Sequence, residues 1–140
     1  MMNLDKFIDM ADKVEFLATT IGMQLVSTPD PDEAVCTLKV TKAVSQPAGY
    51  LNGGTSLAVA ENLAGIGSTL LDEEHFPMGL NVTANHLRSV PIGATIKAVA
   101  RILHKGKSTH VWNVDIFNEE GQLCFTSRVT NYMLDLKNKK

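Results

Sequence analysis

The chain has 140 residues, of which 44% are hydrophobic and 20% charged, and its net charge is −2. That length suits one domain with enough chain to bury a core, and the near-neutral balance gives no general reason to expect nucleic acid or an anionic membrane as partner. Charges run through MMNLDKFIDMADKVEF and no apolar run reaches ~18 residues, so neither a signal peptide nor a membrane span is expected and the expected location is the cytoplasm.

Leu4, Phe7, Ile8 and Ala11 recur at helical spacing, so residues 1–20 are expected to form an N-terminal helical segment. GMQLVST reads as a short strand and PDPDE as a turn stiffened by two prolines. In AVCTLKVT, Ala34, Cys36, Leu38 and Val40 share one face, the pattern of a half-buried strand. From Thr55 to about Asp72 apolar residues lie on nearly every side, which predicts a helix buried on most faces. Gly53 and Gly54 precede it, and EEHFP is expected to stop it, since Pro77 cannot continue a helix. Beyond Pro77 the apolar period drops to two. Leu80, Val82 and Ala84 form one such set; Ala94, Ile96, Ala98, Ala100 and Ile102 form the next. His110, Trp112, Val114 and Ile116 form a third, and Leu123, Phe125, Val129 and Met133 share a face in the last strand. SVPIGA, HKGKS and NEEGQ are short, turn-rich joints, so these strands pair as antiparallel hairpins.

The fold class is therefore α+β, one long buried helix wrapped by a curved antiparallel sheet, in a single domain over residues 1–140. Such a helix within such a sheet points to the hotdog architecture. Cys36 and Cys124 sit in strand-like apolar runs, where free buried thiols fit better than a disulfide. His75, His86, His104 and His110 have no metal-type spacing, so no metal site is expected. Trp112 falls on the apolar face of its strand and is assigned to the core.

Two features carry chemistry. Gly53-Gly54 at a helix start lets a ligand approach the main chain, where the first N–H groups lack partners and the helix dipole adds positive charge. Those donors could hold a thioester or ester carbonyl and the oxyanion formed on attack; the alternative is a loop that needs two glycines to turn. Glu61 is the second. Its helical neighbours are Leu57, Ala58, Ala64 and Gly65, an apolar stripe, so the carboxylate is expected to be partly desolvated and available as base or nucleophile. The alternative is a solvated acid at the helix edge beside Asn62. Eight residues separate Gly53 from Glu61, which along a helix is ~12 Å, too far for both to serve one carbonyl. Two antiparallel copies about a two-fold axis would bring Gly53 of one chain to Glu61 of the other, so a homodimer with two interface sites is expected.

The segment QPAGYLNGGTSLAVAENLAG, with TANHLRSV and LHKGKSTHVWNVDIFNEEGQLCFTSRVT after it, resembles the hotdog-fold acyl-CoA thioesterases over most of the chain beyond about residue 20. That family usually reads Q-x-x-G-x-x-H-G-G ahead of a helix bearing a glutamate at this spacing. The resemblance implies a thioester hydrolase that releases a free acid and coenzyme A. Glu61 would act as nucleophile or general base, the backbone at Gly53 would polarise the thioester carbonyl, and Gln46 would help to place the reacting groups or water. Asn52 stands where the family's histidine usually does; it can donate a hydrogen bond but cannot become an imidazolium. Gly65 occupies the position, four after the acid, where a hydroxyl residue is common.

By the same resemblance the coenzyme channel would be lined by Gly54, Gly79, the segment His86, Leu87, Arg88 and Ser89, and the turn His104, Lys105, Gly106, Lys107, Ser108 and Thr109. Lys105 and Lys107 can meet phosphates as point charges, although hairpin tips are also basic simply because they are solvated. Coenzyme A is then part of the substrate, and no separate cofactor is implied. Relatives of this type commonly pair dimers into a homotetramer. A 1,4-dihydroxy-2-naphthoyl or benzoyl acyl group is suggested by likeness alone, and Tyr50 and Phe76 could border either an aromatic or an aliphatic pocket. Two other functions fit the same residues: a hotdog dehydratase acting on hydroxyacyl thioesters, and an acyl-CoA-binding module without catalysis.

Overall fold

The computed structural model describes residues 2–138; Met1 and residues 139–140 of the expected domain span lie outside the described residues. In chain order come helices α1 (Leu4–Asp12) and α2 (Leu17–Ile21), strands β1 (Gln24–Val26) and β2 (Glu33–Lys39), the long helix α3 (Gly53–Leu71), then β3 (His75–His86), β4 (Thr95–Lys105), β5 (Thr109–Phe117) and β6 (Leu123–Asp135). Single 3-10 turns occupy Lys42–Val44 and Leu136–Asn138. The six strands make one sheet in the order β1-β2-β4-β5-β6-β3, with every neighbouring pair antiparallel. This is the long helix against an antiparallel sheet that the sequence periods predict.

The period of two becomes a strict alternation of burial in β5, where His110, Trp112, Val114 and Ile116 point inward. They meet Val59, Ala60, Leu63 and Ala64 of α3, all without exposed surface. Small residues let the helix settle close to the sheet. At Gly67 a Cβ would come within 2.7 Å of Trp112 Cζ2, so this glycine is set by packing. Beside it lies a buried polar node. Ser68 Oγ accepts from Trp112 Nε1–H at 2.9 Å and from Asn131 Nδ2–H at 3.4 Å, and it lies 2.8 Å from His110 Nδ1. With both hydroxyl lone pairs used, the Ser68 proton goes to His110 Nδ1, so the imidazole is neutral with its own proton on Nε2. Both thiols are free and buried, and burial pushes the Cys36 thiol up to about 12.

Three expectations change. Gly53 and Gly54 are the first two residues of α3 rather than a lead-in to it, because Asn52 caps the helix with its side chain. The helix ends at Leu71, with Asp72 as its C-cap, so Pro77 does not stop it. Pro77 instead lies within β3, paired with Met133; β3 is an edge strand, where a missing N–H is tolerated. The segment expected to be helical over residues 1–20 is broken after Asp12, and its second part is the separate helix Leu17–Ile21. Its start is fixed by the Thr19 hydroxyl bonded to the Phe16 backbone and its end by Gly22 at φ 92°.

The sheet's two edges differ. β1 has 3 residues and β3 has 12. The register of β3 against β6 shifts between Gly79 and Asn81, so Leu80 is an extra residue, and Phe76, Met78 and Leu80 are all exposed on this strand.

Candidate active site

The loop before α3 is tied down by main-chain bonds. Gln46 N–H donates to Tyr50 O at 2.7 Å, Gly49 N–H to Gln46 O at 3.0 Å, and Leu51 N–H to Val90 O at 2.8 Å. Gly49, at φ 93°, takes the left-handed conformation this turn needs. Asn52 N–H then donates to Val44 O at 3.0 Å, and the chain enters the helix.

The amides of this loop are oriented by their partners. Gln46 Oε1 accepts from Ala48 N–H, which leaves the Gln46 NH2 group as a donor. Asn52 Oδ1 accepts from Gly54 N–H at 2.7 Å, so Asn52 serves as the helix cap. That cap uses the Gly54 donor. The N–H of Gly53 has no acceptor among the described residues and is the donor left at the positive end of α3.

Gln46 and Gly53 share a cavity of about 320 Å³ with Ser56 and with His86, Leu87, Arg88 and Ser89. Its inner wall is Ile116, Cys124 and Phe125. The structure thus brings together Gly53, Gln46 and one of the two segments expected to line a coenzyme channel. The second such segment is elsewhere. The turn His104–Thr109 is not part of the cavity that holds these residues, and Lys105 Nζ is already paired with Asp32 at 2.8 Å. Gly106 closes that turn, its N–H donating to Thr109 O at 2.9 Å, and Met133 N–H donates to Ser108 O at 2.8 Å. Arg88 and Lys107 have no ion-pair partner among the described residues.

Glu61 lines a different and larger cavity of about 690 Å³. Gly79 lies beside it there, not with His86–Ser89: a Cβ on Gly79 would stand 3.4 Å from Glu61 Oε1. Phe76, Pro77, Gly65, Thr69 and Asn131 complete one side. Phe7, Met10, Ala11 and Val14 from the N-terminal segment form the other, a role that their helical spacing alone does not reveal. Glu61 itself is exposed. The desolvation expected from its helical neighbours is therefore not supplied by this chain, because Ala64 turns into the core and away from the carboxylate.

Gly53 and Glu61 therefore face two separate cavities, as their spacing along one helix requires. Among the described residues no group of three or more His, Cys, Asp or Glu is placed to hold a metal ion, and no helix is long and apolar enough to cross a membrane.

Known proteins resemble this chain in sequence and in fold. The family model described as Thioesterase superfamily matches residues 48–125. A 1,4-dihydroxy-2-naphthoyl-CoA hydrolase from Listeria monocytogenes is 42% identical over 81% of this chain and 92% of its own length. The protein of the same name from Escherichia coli is 38% identical over 74% of this chain and 76% of its own. Among solved structures, a thioesterase from Haemophilus influenzae superposes with a TM-score of 0.87 at 31% identity, covering 97% of this chain and 93% of that one.

Proposed function

The chain belongs to the thioesterase superfamily, and from that membership we propose how it hydrolyses an acyl- or aroyl-coenzyme A to the free acid and coenzyme A. The observation that carries the mechanism is the separation of the two reactive features. Gly53 offers an unpaired N–H at a helix start, and Glu61 offers a carboxylate in another cavity. The Gly53 cavity holds no carboxylate and the Glu61 cavity no free helix-start N–H, so a reaction that uses this pair needs a second copy. The open edge of β3, with Phe76, Met78 and Leu80 exposed, is the surface by which two copies would join. In such a homodimer Glu61 of one protomer faces Gly53 and Gln46 of its twin, and each dimer carries two sites. Pairing of dimers into a homotetramer is a further step of the same proposal.

In that composite site the thioester carbonyl oxygen lies at the Gly53 N–H. Charge that builds on it during attack is stabilised by this donor and by the α3 dipole. Glu61 acts as base toward water or as nucleophile, and Gln46, through its free NH2, orients the attacking group. The coenzyme runs past His86–Ser89, where Arg88 is free to meet phosphate. The reaction consumes water and substrate and calls for no resident cofactor. The acyl group is proposed to be 1,4-dihydroxy-2-naphthoyl or a related aroyl group, supported by the two relatives that carry that name. The cytoplasm, where thiols such as Cys36 and Cys124 stay reduced, suits this chemistry.

The test is release of free thiol from a panel of 1,4-dihydroxy-2-naphthoyl, benzoyl, phenylacetyl and medium-chain acyl-CoA. Saturable hydrolysis is expected, and Glu61→Gln should lower kcat by about 10²–10⁴ while coenzyme binding persists. Tight binding without turnover would make the protein a binding module, and hydration–dehydration without thiol release would make it a dehydratase.

A further inference from the structure

His86 lies against the helix start at which the thioester would be held. A Cβ built on Gly53 would come 3.1 Å from His86 Cε1, 3.3 Å from Nε2 and 3.5 Å from Nδ1. The nitrogen-bearing edge of the ring therefore faces the first residue of α3, and the space a side chain at 53 would fill is taken by imidazole. Phe125 holds the ring in place, with centroids 5.2 Å apart and planes tilted by 53°. Phe125 is 2% exposed, so the ring rests on a fixed wall. Neither ring nitrogen has a hydrogen-bond partner among the described residues.

The neighbouring groups leave a gap that this ring fits. The Gly54 N–H is committed to Asn52 Oδ1, so the backbone presents a single donor, from Gly53. An oxyanion in a site shielded from water is held far better by two converging donors than by one. Asn52, engaged in capping, is anchored at the helix end, while His86 opens into the same 320 Å³ cavity as Gly53 and Gln46.

We propose that His86 is a catalytic hydrogen-bond donor, its ring N–H and the Gly53 N–H together holding the thioester carbonyl oxygen and the charge that develops there. This rests on the thioesterase mechanism above and gives His86 a role at the reacting carbonyl rather than along the coenzyme. A neutral imidazole suffices, because one ring N–H donates and no proton is transferred. The C–S bond breaks with its electron pair on sulfur, and the departing thiolate takes its proton from solvent. Gly53 is then required twice, for its own donor and for the closeness of the ring.

Steady-state kinetics on the benzoyl-CoA or naphthoyl-CoA substrate separate the roles. His86→Ala should lower kcat by about 10²–10³, the range for loss of one oxyanion donor, with KM changed less than about threefold. His86→Gln, which keeps an N–H donor at similar reach on a more flexible side chain, should recover part of that loss and guards against a folding defect. Adding Asn52→His to His86→Ala should restore turnover at least about tenfold by supplying an imidazole from the adjacent cap. Affinity for a non-hydrolysable acyl-CoA thioether, by calorimetry, should stay unchanged in His86→Ala. An unchanged kcat with a raised KM and weakened thioether binding would overturn the proposal and leave His86 a coenzyme contact. Wild-type protein that releases no thiol from any substrate would overturn the thioesterase mechanism and this proposal together, which the variant comparison alone cannot do.

Discussion

Glu61 on α3 and Gly79 on β3 lie side by side: the carboxylate Oε1 would stand 3.4 Å from a Cβ built on the glycine. An alanine there makes ordinary van der Waals contact, but the branched methyls of valine reach into the carboxylate's space. Gly79→Ala should keep kcat within about threefold, whereas Gly79→Val should cut it by about 10- to 100-fold, the scale of a misplacement near 1 Å. Thiol-release assays on both variants, with circular dichroism to confirm folding, check this.

Pairing through β3 predicts a coupled loss of assembly and activity. Leu80→Asp or Met78→Lys places a charge on an edge that presents apolar side chains. Sedimentation velocity should show a shift from dimer to monomer, and turnover per chain should fall with the dimer fraction. Thermal unfolding of the separated chain should remain cooperative, since neither side chain belongs to the core. A charged variant that stays dimeric and active would place the interface elsewhere.

Gly67→Ala should destabilise without touching the site. The added methyl would stand 2.7 Å from Trp112 Cζ2, and Trp112 is fully buried and anchored through its N–H to Ser68. Overpacking of this kind costs about 1–3 kcal/mol. Urea unfolding should show a lower midpoint with an unchanged m-value.

His110 makes stability depend on pH. Burial holds its pKa below the ordinary 6.5; Asp72 opposes this, and Lys105, His104 and His75 add to it. Protonating Nδ1 would also set an N–H against the Ser68 hydroxyl that donates to it. The folded pKa lies below the unfolded one, so the unfolded chain binds more protons as pH falls. This contribution is complete above about pH 6.5 and is lost as pH drops from there through the folded value. Calorimetry between pH 7.5 and about pH 5 should show a fall in Tm that is smaller in His110→Gln, which cannot take up a proton.

Strands β4 and β5 were legible because one face of each is buried, and Ile96, Ala98, Ala100 and Trp112, Val114, Ile116 follow that alternation into the core, whereas in β3 the register shift puts Leu80 out of line with Val82 and Ala84. The helix was legible from its all-round apolar residues, and so was its end near Asp72, but its start and the cause of its stop were not. Two glycines look like a break until a capping side chain such as Asn52 decides the start, and Pro77 looks like a stop until its place on a sheet edge is known. The site's parts were visible singly: Gln46, Gly53 and the segment beginning at His86 do meet in one cavity. What the sequence hid were contacts made across long stretches of chain. Ser68 reaches His110, Trp112 and Asn131 only through the fold, and so does His86 its place against Gly53. The pairing of Lys105 with Asp32 was hidden for the same reason, and it turns an expected phosphate ligand into a tie between a strand end and a loop.

The unequal margins of the sheet also limit its growth. In the proposed dimer the 12-residue margin would match itself about a two-fold axis, and that single match would use both long margins at once. Outside it remain only two 3-residue margins, too short to template another layer. In the proposed dimer a fibre would have no long edge from which to grow, so the strand with the greatest tendency to recruit strangers would be the one that self-complementation takes out of reach.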